Sequence, residues 1–140
     1  MKGKTLGFFA AWSLAVTLAS PLHAQSVASM AVRIPFDFVV NKEMLPAGEY
    51  RIAPYSGVLQ VRSAAGKAAT LAQTVSVHGQ ETTTPPRLVF HRYGNANFLF
   101  QVWMPANRTW GRQIIPSKLE LEVAKDSREP HIESVLAQGR

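Results

Sequence analysis

Residues 87–104 read RLVFHRYGNANFLFQVWM. Two runs rich in aromatic and β-branched residues, 87–93 and 96–104, flank Gly94-Asn95, a dipeptide suited to the positive backbone angles of a tight hairpin loop. Successive side chains of a strand point to opposite faces. Leu88, Phe90 and Arg92 therefore share one face, and Val89, His91 and Tyr93 the other. After the turn, Phe98, Phe100 and Val102 fall on one parity and are expected in the core. Asn97, Leu99, Gln101 and Trp103 fall on the other, which would present Gln101 and Trp103 outward.

Upstream the same alternation recurs. Val32, Ile34, Phe36, Phe38 and Val40 take alternate positions, which predicts a half-buried strand over 32–40. Pro35, unable to donate to a ladder, belongs at an edge or a bulge. The chain turns over 41–48 through Leu45-Pro46-Ala47-Gly48, and strands are expected at 49–53, 58–63 and 69–77. Polar loops follow at 78–86 and 105–111, with a short strand at 112–115 between the second loop and Pro116. Beyond Pro116, good helix formers with Ser117 and Glu120 in capping-box spacing predict a short helix. The expected fold class is all-β and mainly antiparallel: a small sandwich or partly open barrel of six or seven strands with a short C-terminal helix.

The N-terminus is of another kind. Lys2 and Lys4 precede an apolar run over 6–19 and then Pro21-Leu22-His23-Ala24, the layout of a secretory signal-peptide helix cleaved after Ala24. The run is shorter than the roughly 20 residues a helix needs to cross a bilayer, so no permanent membrane anchor is expected after cleavage. The domain plan is a signal peptide at 1–24, a loose lead-in at 25–31, a single β domain at 32–126 and a tail at 127–140. The mature 140 − 24 = 116 residues suffice for one core. Removing Lys2 and Lys4 from the 15 basic residues leaves 13 against 9 acidic, a formal charge of 13 − 9 = +4. Spread without a lysine or arginine run, that charge is not a nucleic-acid footprint. The chain has no cysteine, which excludes disulfides, thiolate metal sites and a lipidated N-terminal cysteine and leaves stability to an apolar core. The leader predicts a periplasmic or extracellular location.

No glycine-rich phosphate loop, nucleophile elbow or helically spaced histidine pair occurs, so neither a cofactor nor an enzyme of a familiar class is expected. His78, His91 and His131 could ligate a metal only if folding brought them together. Asp37, Glu43 and Glu49 lie in or beside turns, where carboxylates are ordinarily solvated. The aromatic residues are more informative. Tyr93, Trp103 and Trp110 lie among Arg92, Arg112 and Gln101, a combination that can stack on a sugar or grip a partner's side chains. The expected function is a non-enzymatic module that binds a glycan, an envelope component or a protein through Tyr93, Gln101, Trp103, Trp110, Arg92 and Arg112. Two alternatives stand beside it. One is a structural or assembly protein of the envelope, associating through a strand edge near Pro35; the other is a metal binder or enzyme built on His78, His91 and His131.

Several strings carry a resemblance: 32–40 (VRIPFDFVV), 45–52 (LPAGEYRI), 88–94 (LVFHRYG), 98–103 (FLFQVW), and Gly111-Arg112 before Pro116-Ser117-Lys118. Together they resemble a group of small exported proteins abundant in acidobacteria. The resemblance spans most of the mature chain and implies export, the extent of the domain and a β-rich fold. It implies no activity and no catalytic residues.

Overall fold

The computed structural model describes Gly3 and residues 29–79, 85–105, 110–127 and 129–138. The expected signal peptide and most of the lead-in lie outside the described residues. Among the described residues no helix is long and apolar enough to cross a membrane.

Ten strands and one helix are described, in the chain order β1 (Met30–Ile34), β2 (Phe38–Val40), β3 (Glu43–Leu45), β4 (Gly48–Tyr55), β5 (Val58–Ser63), β6 (Ala69–His78), β7 (Arg87–Tyr93), β8 (Ala96–Trp103), β9 (Trp110–Ile114), α1 (Lys118–Asp126) and β10 (His131–Leu136). The strands make one sheet, antiparallel except where β2 meets β8, in the order β1-β4-β5-β6-β9-β8-β2-β3. β7 lies along β8, and β10 lies outside β7. β6 joins the two halves, laddering on β5 over 69–73 and on β9 over 74–78. The sheet curls without closing, and its outer strands approach where Gln138 N donates to Ala31 O at 3.2 Å.

Period-2 patterning accounts for the interior. Met30, Val32 and Ile34 of β1 point inward and alternate with exposed Ala31 and Arg33. Tyr50, Ile52, Leu59, Val61, Leu88 and Phe90 fill the same core, each contributing about 1.5–3 kcal/mol by burial. Phe38 sits edge-on between Tyr50 and Phe90, with ring centroids 5.0 and 5.7 Å away. The Tyr50 hydroxyl donates to Pro46 O at 2.6 Å, which ties the turn before β4 to the core.

The architecture agrees with an all-β fold bearing a short helix, but six or seven strands become ten. The single strand expected over 32–40 is two. Pro35 has no N–H for a ladder, and the chain breaks there so that β1 pairs with β4 while β2 leaves to pair with β3 and β8. Asp37 fixes the corner: its Oδ1 accepts from Ala47 N at 2.9 Å and its carbonyl accepts from Asn97 Nδ2 at 3.1 Å. Met30 and Ala31, expected in the lead-in, belong to β1. The turn over 41–48 contains β3, and the tail supplies β10, which runs along β7 from His131↔Arg92 to Leu136↔Arg87. Gln138 meets the free edge of β1 at Ala31, while Pro35 at the other end of that strand is exposed.

Candidate functional site

The β7–β8 hairpin forms as its sequence indicates, with Gly94 at φ +59° in the turn. Its register then breaks. Phe90 faces Leu99 and Val89 faces Gln101, so Phe100 is an extra residue in β8. Such a bulge reverses the inward-outward alternation beyond it. Leu99 and Val102 therefore both enter the core, while Phe98, Phe100, Gln101 and Trp103 go to the outer face. Phe98, expected in the core, is buried but on this other side of the sheet, Phe100, also expected there, is only half-buried, and Leu99, expected to face outward, is in the core.

Helix α1 reaches the outer-face aromatic residues near the hairpin through Glu120. Ser117 caps it by accepting from Glu120 N at 3.3 Å. The Glu120 carboxylate takes no part in the reciprocal half of a capping box and instead enters the sheet surface, where Oε1 lies 3.3 Å from His91 Nδ1 and the carboxylate stands near enough to Tyr93 for their charges to interact. The His91 ring stacks on Phe100, with centroids 3.7 Å apart, and Tyr93 meets Phe98 edge-on. Glu120 is the only buried residue of the helix. Burial raises its carboxyl above the ordinary value, against the lowering pull of His91 and Tyr93. Tyr93 is likewise raised, first by burial and then by the Glu120 charge beside it. Sequence reading assigned Glu120 only to the helix cap; the outward parity of His91 and Tyr93 was the available hint that something polar covers them.

The remaining expected residues do not converge. Trp103 lies on the outer face but is only 7% exposed, its indole flat over Gly111 and its Nε1 donating to Gln101 Oε1 at 3.4 Å. The expectation that Trp103 presents an open stacking surface is corrected by that contact. A Cβ at position 111 would stand 3.0 Å from three indole atoms, so the close approach requires glycine. Gln101 is itself spent on Gln113, at 3.1 Å. Arg92, Trp110 and Arg112 alternate to the opposite face of their strands from Tyr93, Trp103 and Gly111. Arg92 donates to Gly94 O at 3.1 Å, and Trp110, half-exposed, meets His78 edge-on at 4.8 Å.

The histidines are dispersed as well. His78 faces Trp110 across β6 and β9, His91 lies beneath α1, and His131 stands opposite Arg92 on the other face from His91. Among the described residues no group of three metal-ligating side chains is assembled. The expected carboxylates have local partners in two cases, since Asp37 holds the Ala47 amide and Glu49 receives Arg33 at 2.6 Å. Two of the clefts among the described residues are shallow. One of about 180 Å³ is lined by Asn41, Gln73, Ile115 and Ser117, and the other, about 330 Å³, by Glu43, Gln60, Ala69, Thr70 and Leu71. Neither reaches the His91–Glu120–Tyr93 group, whose geometry is that of a helix anchor.

The outer face of β4, β5 and β6 has a different character. Inward Tyr50, Ile52, Leu59, Val61 and Ala72 set the alternation, so Arg51, Ala53 and Tyr55 of β4, Val58, Gln60 and Arg62 of β5, and Leu71, Gln73 and Val75 of β6 point outward. Tyr55, Leu71 and Val75 are 64%, 50% and 47% exposed. Arg51 and Arg62 stand directly opposite one another. No known protein family, curated protein or solved structure matches the chain.

Proposed function

We propose that the chain is an exported, non-enzymatic β module that binds a component of the cell envelope on the outer face of β4–β5–β6. The observation that carries this reading is the exposure of Tyr55, Leu71 and Val75 on a single face of the sheet, beside two arginines. Large apolar side chains gathered on one face of a small domain mark a surface that another molecule covers. The leader of 1–24 and the absence of cysteine support an extracytoplasmic partner, while the dispersal of the histidines supports a binding role over a metal-dependent one.

Thermal unfolding with and without peptidoglycan fragments, acidic and neutral glycans and lipid vesicles tests the reading. A component bound by the native state alone raises stability by about 2.7 kcal/mol at a hundred times its dissociation constant. The rise is expected with one envelope component and should be lost in Tyr55→Ser and Leu71→Ser. No rise with any component, or a rise that survives both substitutions, would remove this face from the function.

A further inference from the structure

The arginines on this face are not explained by folding. Arg51 and Arg62 occupy directly opposed positions on β4 and β5, which places their Cβ atoms about 5 Å apart, and like charges so placed are destabilising. Their cross-strand neighbours in the same row are Ala31 and Ala69, which carry no charge. The nearest acid along β4, Glu49, is held by Arg33 at 2.6 Å. Glu43 borders the face across the cleft it shares with Gln60 and Leu71, and among the described residues it pairs with neither arginine. Arg51 and Arg62 are both exposed and make no side-chain hydrogen bond or ion pair among the described residues. Two guanidinium groups so close, with no acid between them, form a ready seat for an anionic group such as a phosphate, which arginine grips with paired N–H donors.

The next rows of the same face are apolar or neutral: Ala53, Gln60 and Leu71, then Tyr55, Val58 and Gln73, each about 7 Å further along the strands. A partner that satisfies both rows must offer anionic groups and hydrocarbon side by side, over a surface flat enough to meet a sheet. We infer that this face docks on an anionic lipid surface, with Arg51 and Arg62 holding lipid phosphates and Tyr55 and Leu71 entering the headgroup boundary. The inference rests on the proposed function and names its ligand class. Adsorption of this kind is reversible and needs no membrane-spanning segment.

Co-sedimentation with phosphatidylcholine vesicles, with and without phosphatidylglycerol, tests it. The exported protein should bind the phosphatidylglycerol vesicles and not the neutral ones, and rising salt should release it. Each basic residue near an anionic surface contributes about 5-fold in partition, so Arg51→Gln with Arg62→Gln should weaken binding roughly 30-fold. The same change of charge at Lys118→Gln with Lys125→Gln on α1 should leave binding close to wild type. All of these chains share one N-terminus, so any contribution of the apolar residues 6–19 cancels. Removing opposed like charges does not destabilise the sheet, so an unchanged or higher midpoint for the arginine variant separates lost binding from lost folding.

Equal binding by the arginine variant and the wild type would overturn the inference. So would absence of binding to anionic vesicles, including the case in which alginate or polyglutamate is captured through the arginines instead. If Tyr55→Ser and Leu71→Ser abolish binding to peptidoglycan fragments while the arginine variant binds them normally, the envelope-binding reading stands and the lipid inference falls. If no substitution on this face alters any binding, both fall.

Discussion

Replacing Glu120 with alanine removes the only buried side chain of α1, and the cost follows from its contacts. The carboxylate meets His91 Nδ1 at 3.3 Å and lies near Tyr93. Hydrogen bonds to a charged group contribute about 1.5–3 kcal/mol each, and a 3.3 Å contact falls at the weak end. Against them stands the desolvation that raises the carboxyl and outweighs these attractions, so the loss is that of one ordinary buried contact, about 1 kcal/mol, with a fall in midpoint of roughly 4 °C for a domain of this size. Glu120→Gln separates the two influences. A carboxyl whose pKa is higher in the folded than in the unfolded chain contributes stability that is present below pH 4.5 and lost as pH rises through the folded value. The stability of wild type relative to Glu120→Gln should therefore decline as pH rises above 4.5, measured by urea denaturation across a pH series. A relative stability that grows with pH would mean that attraction to His91 outweighs burial, and would refute the assignment. Full stability of Glu120→Ala would show that α1 is not held by this carboxylate.

Gly111→Ala should destabilise the fold by about 1–3 kcal/mol, because the new methyl group meets the flat of the Trp103 indole and that ring, tied to Gln101, has little room to yield; chemical denaturation reads the loss, and a neutral result would show the indole free to move. A chain ending at Pro130 lacks β10 and leaves β7 without its outer partner from Arg87 to Arg92. It should be recovered unfolded or aggregated, since an exposed edge beside the core invites pairing with other chains; a monomeric product with cooperative unfolding would count against a structural role for the tail.

The parts of the fold legible in the sequence are those fixed by local chemistry. Gly94-Asn95 between two apolar runs specifies the β7–β8 hairpin, and Ser117 at the start of a run of helix formers specifies α1. What escapes such reading depends on a partner strand. The bulge at Phe100 is one residue inserted in β8 relative to β7, and nothing within 96–103 distinguishes it from regular alternation, yet it exchanges the faces of Phe98 and Leu99. β10 is legible only from the unsatisfied edge of β7, which is itself a product of the fold. The candidate site failed to assemble for the same reason: closeness in sequence placed Tyr93, Trp103 and Trp110 together, whereas alternation across β9 sends Trp110 to the opposite face and the glycine gap at position 111 draws Trp103 down. Arg51 and Arg62 drew no notice because they face each other only once β4 and β5 are in register.

The meeting of Gln138 with Ala31, and of β10 with β7, bears on how the chain becomes a folded object. The pairing of β10 with β7 joins residues 131 − 92 = 39 to 136 − 87 = 49 positions apart, and the bond from Gln138 to Ala31 spans 138 − 31 = 107. Contacts of that separation are made late and slowly, over milliseconds to seconds in proteins dominated by them. A chain emerging N-terminus first cannot complete β7 until residues 131–136 have emerged, and up to that moment it remains an incomplete sheet with an open edge beside its core.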